Sequence, residues 1–181
     1  FFGEGHDYGP EVNPQLRRVD PVRFAATDWV NAKNNFIPWA QGFGIPTPKT
    51  WCFSTPESFT PPADLIYPCI AKPSVSAVGF GIRRCADETE LRDAVSAYAG
   101  AFQLQEELVD ATYTNVLYSV DDDRAVLLAE TEQVIRNRAH CGNRHPCSRS
   151  IGDALQPLAD QLAADGLREH FAFDVAFVED G

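Results

Sequence analysis

The chain has 181 residues, of which 44% are hydrophobic and 11% aromatic, enough for one substantial globular domain or two small lobes. Its formal net charge of -11 argues against nucleic acid or an anionic membrane as the main partner, because both are met by basic surfaces. The apolar runs are only a few residues long, so no segment reads as a membrane span, and no signal peptide is visible.

Five scattered cysteines without a secretion signal point to reduced thiols in a cytoplasmic protein. Of the 15 basic residues only Lys33, Lys49 and Lys72 are lysines, which makes each of them conspicuous. The chain contains no methionine, begins at Phe1 and stops in a turn-like Glu179-Asp180-Gly181, so a portion of a longer protein is expected.

In chain order, residues 1–20 carry glycines and prolines with little apolar periodicity and read as a linker or the tail of a preceding domain. Thr27-Asp28 is placed to cap a helix through Ile37 that Gly42 or Gly44 closes, with a kink or a restart at Pro38. Ile45-Pro-Thr-Pro48 is extended, and residues 50–53 read as a short strand. Ser54-Thr-Pro-Glu57 has the spacing of a capping box for a short helix.

Further on, Asp87-Glu-Thr-Glu90 caps a predicted helix over 88–99, whose Leu91, Ala94, Val95 and Tyr98 share one face. Phe102 and Leu104 alternate with Gln103 and Gln105, a strand with one wet face. Residues 113–120 and 125–135 read as strands around Asp121-Asp-Asp-Arg124, followed by a basic polar loop over 136–150. A helical stretch from Ser150 to Asp165, interrupted or restarted at Pro157, leads to an apolar strand over 171–178. The order describes an α+β protein with no run long enough for a Rossmann domain.

The stretch Tyr67-Pro-Cys-Ile-Ala-Lys-Pro-Ser-Val-Ser-Ala-Val-Gly-Phe-Gly-Ile82 joins a strand ending in lysine to a Ser/Gly loop and a second strand. Such a segment can wrap polyphosphate. Lys72 supplies a point charge, Ser74 and Ser76 supply hydroxyls, and Gly79 and Gly81 let backbone N–H groups approach an anion. The alternative is a β-hairpin with an ordinary glycine-containing loop.

Together with a helix lysine, Lys33, ahead of Gly44-Ile-Pro-Thr-Pro48, this stretch resembles the ATP-grasp superfamily of ATP-dependent carboxylate–amine ligases, most closely its peptide and D-alanine–D-alanine ligases. The resemblance runs from about Lys33 to Gly181. It implies an ATP-grasp fold, in which two small sheet-and-helix lobes clamp a nucleotide between them. Residues 21–100 form the phosphate-loop lobe on this reading, and 101–181 a second lobe that lacks its end.

It also implies roles residue by residue. Lys33 and Lys72 flank the nucleotide phosphates, with Ser74, Ser76, Gly79 and Gly81 over them. Gln105-Glu106-Glu107-Leu108 resembles the hinge that reads the adenine edge. The family's ribose glutamate is replaced by Thr112, a weaker match. Alternatively, Lys33 is a solvated helix lysine and the Gln-Glu-Glu run a solvated strand end.

The basic run over 130–146 looks like the loop that covers the acyl phosphate in peptide ligases, placing Arg136, Arg138 and His140 at the reacting group. Read otherwise, it is a basic surface loop, or His140, Cys141, His145 and Cys147 are zinc ligands at an unfamiliar spacing. Asp174, the one charge in its strand, resembles the first magnesium ligand. The following Glu-x-Asn strand lies beyond Gly181, so the magnesium site is incomplete.

The reaction implied is formation of an acyl phosphate from ATP and a carboxylate, then attack by an amine. ATP and Mg2+ are the implied cofactors, and an amino acid or peptide carboxylate and amine the substrates. Such ligases are often dimers, which points to a homodimer. A nucleotide-binding domain without turnover is the alternative.

Overall fold

The computed structural model describes residues 13–57, 59–76, 79–136 and 139–178. They fall into two units, Ala32–Val109 and a second made of Phe1–Asn31 with Asp110–Gly181.

In the 32–109 unit, β1 (Thr50–Phe53), β2 (Cys69–Pro73), β3 (Arg83–Cys85) and β4 (Phe102–Glu106) form an antiparallel sheet in the order β1-β4-β2-β3. The helices of this unit are α3 (Lys33–Gly42) and α4 (Glu88–Ser96). Helix α4 starts where its sequence dictates. Asp87 accepts the Glu90 N–H at 2.9 Å, while the Glu90 carboxylate reaches back to the Ala86 N–H at 2.8 Å. Its Leu91, Ala94 and Val95 pack on Cys69, Ala71, Cys85, Phe102 and Leu104. Fully burying Leu91 contributes roughly 2 kcal/mol. The helix ends at Ser96, short of the expected 99, and Tyr98 beyond it donates to the Gly81 carbonyl at 2.8 Å.

Two expectations fail in this unit. The capping-box spacing at Ser54 starts no helix among the described residues. Phe59 instead folds back in a turn on the Pro56 carbonyl and packs edge-on against Phe53, with ring centroids 5.2 Å apart. Gln103 is fully buried instead of wet, because β4 is a central strand with Cys52 on one side and Lys72 on the other.

The second unit pairs β5 (Thr112–Asp121), β6 (Arg124–Arg136), β7 (Ala139–Arg144) and β8 (His170–Phe177) in the antiparallel order β7-β6-β5-β8. The stretch expected as a loop over 136–150 thus contains an edge strand. Helix α5 (Gly152–Ala164) packs on β6 and β5 and runs through Pro157 without interruption. Tyr118 is fully buried beneath it, stacked on Phe171 at 5.6 Å, and its hydroxyl donates to the Gly152 carbonyl at 2.6 Å.

Upstream, residues 13–19, expected to be linker, form helix α1 (Asn13–Val19). Helix α2 (Pro21–Asn31) follows Asp20, which accepts the Arg23 N–H at 3.0 Å. The proposed cap at Thr27 is a buried mid-helix residue whose hydroxyl donates to the Arg23 carbonyl at 2.9 Å. Extended backbone at Ala32 (φ -76°, ψ 101°) separates α2 from α3. Among the described residues no helix is long and apolar enough to cross a membrane.

Candidate functional site

The sheet of the 32–109 unit has one face packed on α4. On the other face the register sets Cys52, Gln103 and Lys72 side by side across β1, β4 and β2, with Thr50, Gln105 and Ile70 in the next row. Strand alternation puts these residues together.

Lys72 donates to Gln105 Oε1 at 3.0 Å, and Gln105 Nε2 donates to Thr50 Oγ1 at 3.0 Å. Lys33, at the first turn of α3, reaches the loop after β2. Its Nζ donates to the Ser76 carbonyl at 3.1 Å and to Ser76 Oγ at 3.2 Å, and its backbone N–H to the Ser74 carbonyl at 2.9 Å. Among the described residues neither lysine has a carboxylate partner. Burial, together with the like charge of Lys33, lowers Lys72 to about 8. Burial likewise lowers Lys33.

The glycine loop is shaped by positive φ at Gly79 (+78°) and Gly81 (+76°). A Cβ at Gly81 would sit 2.7 Å from Pro73 Cγ, so this position also demands close approach to β2. Ser74 is buried, and its hydroxyl accepts the Asn34 N–H at 3.3 Å; it faces the start of α3, not the open loop.

The hinge carboxylates are engaged within the unit. Glu106 accepts the Lys49 N–H at 2.7 Å, and Glu107 accepts Arg84 Nε at 2.8 and 2.9 Å. Leu108 is half-buried.

In the second unit Asp174 lies on the face opposite Tyr118 and is exposed. Its Oδ1 accepts from Asn115 Nδ2 at 3.0 Å and from Gln133 Nε2. Among the described residues no three metal-ligating side chains gather, around Asp174 or around His140. Arg136 ends β6 and is exposed; His140 on β7 bonds Asn143 Oδ1 at 2.9 Å; Arg138 lies outside the described residues. Thr112 is exposed at the start of β5.

Sequence reasoning passed over Glu130 and Glu132. Glu130 Oε1 accepts the N–H groups of Ile151 (2.7 Å) and Gly152 (2.6 Å), while its other oxygen accepts from Ser150. Burial raises its pKa, but these hydrogen bonds outweigh that and hold the carboxyl below its usual range. Glu132 holds Arg144 at 2.7 Å and Ser148 at 3.0 Å. Cys52 and Gln103 were missed as members of the lysine face, although the Gln103/Gln105 alternation was their signal.

Compared by sequence, the chain matches no protein-family model and no curated protein. By structure it is similar to the biotin carboxylase domain of 2-oxoglutarate carboxylase from Hydrogenobacter thermophilus, a dimer in complex with MgADP, ADP and bicarbonate. There the TM-score is 0.68 at 17% identity, covering 86% of this chain and 38% of that one. The D-Ala:D-Ser ligase of Enterococcus faecalis gives a TM-score of 0.65 at 15% identity over 86% of this chain and 50% of that one. The L-amino acid ligase of Bacillus licheniformis gives 0.58 at 18% over 82% and 38%. These are ATP-grasp proteins, and the chain has the ATP-grasp fold, α+β with two antiparallel sheets. It spans between 38% and 50% of the length of these neighbours.

Proposed function

We propose that the chain carries the nucleotide-binding part of an ATP-dependent ligase that joins a carboxylate to an amine through an acyl phosphate. One observation carries the reading: Lys33, bonded to the Ser/Gly loop, and Lys72, bonded to Gln105, feel each other's charge, both largely buried, with no carboxylate partner among the described residues. Buried cations without counter-charge are unfavourable unless an anion completes them, and a polyphosphate fits.

In this reading Lys33 and Lys72 neutralise phosphate oxygens, and Gln105 holds the Lys72 ammonium in place. Ser76, Gly79 and Gly81 present the loop to the phosphates, while Ser74 ties the loop to α3. The side chains of Glu106 and Glu107 are engaged by Lys49 and Arg84, so the backbone from Gln105 to Leu108 reads the adenine edge. Thr112 contacts the ribose. Arg136, Arg138 and His140 stabilise charge on the transferring phosphoryl and acyl groups.

Asp174 fits magnesium as a single carboxylate, the ion's other oxygens coming from phosphate and water. When bound, magnesium supplies further charge neutralisation on the phosphates. The substrates are a small carboxylate and an amine, and the assembly is a homodimer, supported by the dimeric carboxylase neighbour. The proposed lobes run from 21 to 100 and from 101 to 181.

The test is calorimetric titration of ATP with magnesium into wild type and Lys72→Ala, followed by ADP release with amino acids and peptides. Binding to wild type that the substitution abolishes supports the reading. Equal binding by both proteins refutes it. A nucleotide-binding domain without turnover is the second reading, favoured by Thr112 standing where the resemblance implies a ribose-binding glutamate. ATP binding without ADP release under any substrate would select it.

A further inference from the structure

Cys52 occupies an unusual position for a thiol. It is exposed, and it stands in the same row as Lys72 with Gln103 between them. Two strand spacings put their Cα atoms about 10 Å apart, close enough for the long lysine side chain to act on the sulfur. The electrostatic coupling of Lys72 to Cys52 is consistent with this placement.

Gln103 supplies a second, independent observation. Its side chain is 0% exposed, its Nε2 donates to Cys52 Sγ at 3.5 Å, and its Oε1 has no hydrogen-bond partner among the described residues. A fully buried amide oxygen with no partner is unfavourable and marks a place where a ligand donor is missing. Thiol, open amide and ammonium therefore form one polar row. The remaining thiols differ: Cys69 and Cys85 are sealed in the core, and Cys141 and Cys147 belong to the other unit.

We infer that Cys52 is a modification site, at which anionic low-molecular-weight disulfides form a mixed disulfide on the lysine face of the sheet. The Cys52 thiol releases its proton to water, and the sulfur attacks one sulfur of R–S–S–R. The Cys52–S–S–R bond forms, the reagent's S–S bond breaks, and R–S⁻ leaves, so Cys52 is oxidised and half of the reagent reduced. The ammonium groups of Lys72 and Lys33 draw the negative R group in, which sets the preferred chemical class. The added group then occupies the space given above to the nucleotide. This consequence, though not the assignment of the thiol, rests on the proposed function.

The test compares two methanethiosulfonates, one carrying a sulfonate and one a trimethylammonium group, with labelling rates at each cysteine read by peptide mass mapping. Each reagent transfers its thioalkyl group to the attacking sulfur and releases methanesulfinate. At Cys52 the anionic reagent is expected to react about tenfold faster than the cationic one, as a nearby pair of ammonium charges dictates. That ratio should fall towards one in Lys72→Met, while the ratio at Cys141 stays unchanged. Equal rates for both reagents at Cys52 in wild type, which need no variant to observe, overturn the assignment. So does a ratio that a folded Lys72→Met leaves untouched.

Saturating ATP should protect Cys52 and not Cys141, and labelled protein should bind ATP at least tenfold more weakly. Labelled protein that binds ATP as tightly as unlabelled overturns the consequence for the nucleotide. Failure of unlabelled wild type to bind ATP would count against the nucleotide reading alone, since the charge ratio still decides what Cys52 is.

Discussion

The two sheets of this chain have the same size and the same antiparallel pairing, yet they treat charge in opposite ways. On the sheet of the 32–109 unit, Lys72 and Lys33 are drawn largely out of water and, among the described residues, meet amides, hydroxyls and carbonyls. On the other sheet, Glu130 and Glu132 hold a helix start, a serine and an arginine, and Asp174 sits in solvent between two amides. Completed charges hold a structure together. On the function proposed above, incomplete ones await a ligand, and the contrast is the reason for giving the proposed binding role to the lysine face. It can be broken by changing one charge on each sheet.

The largest effect is expected on the lysine face. Lys72→Ala should weaken ATP binding by about 100-fold, the scale for removing one member of a desolvated charge pair. Calorimetry checks it, and the variant's far-ultraviolet circular dichroism should match wild type. If Lys72→Ala instead unfolds the 32–109 unit, the lysine holds structure as Glu130 does and the contrast between the sheets disappears.

On the other sheet the expectation reverses. Glu130→Ala should lower stability by about 2 kcal/mol, since the first N–H groups of α5 and the Ser150 hydroxyl lose their acceptor. Glu132→Ala removes an ion pair to a largely exposed Arg144 and should lose less than about 1 kcal/mol. Urea denaturation of the two variants side by side measures the difference. Equal losses would mean that the Glu130 bonds to the helix start add nothing beyond a surface pair. The folded-state pKa of Glu130 is depressed, so its contribution is complete above the usual carboxylate range and fades as the pH falls through the folded value.

These same residues mark how far the sequence could be read. Helix α4 was legible because its signals are local: Asp87 caps it, and Leu91, Ala94 and Val95 recur at helical spacing. The lysine-bearing strand was legible for the same reason. Glu130 was not, because its partners lie 21 and 22 residues away and nothing in its own neighbourhood announces them. Strand β7 was read as loop because Cys141-Gly-Asn-Arg144 is polar and poor in β-formers; pairing with β6 overrides that. Gln103 shows the limit most sharply. Alternation places it correctly on the face opposite Leu104, but alternation cannot say what flanks that face, and water was assumed where Cys52 and Lys72 stand.

The most specific expected effect is a small one, because it concerns the proton on Lys72. In the unfolded chain this lysine titrates near 10.5, and in the folded protein near 8. Below pH 8 the folded state carries the full penalty of the buried ammonium. Between 8 and 10.5 the unfolded state binds more protons than the folded one, so stability rises with pH. From pH 7 to pH 9 the gain should be about 1 kcal/mol. Above pH 9 the Cys69 thiol, which burial pushes up to about 11, acts in the opposite sense and flattens the curve. Lys72→Met should be more stable than wild type at pH 7 by about 1 kcal/mol and should lack the rise. Urea titrations at pH 7, 8 and 9 decide the matter. A Lys72→Met curve parallel to wild type would mean that the ammonium is not penalised by burial, and the lysine face would lose the incompleteness that marks it as a binding surface. If ATP is bound, the same rise should vanish from wild type, because the phosphates stabilise the charged form that the empty fold disfavours.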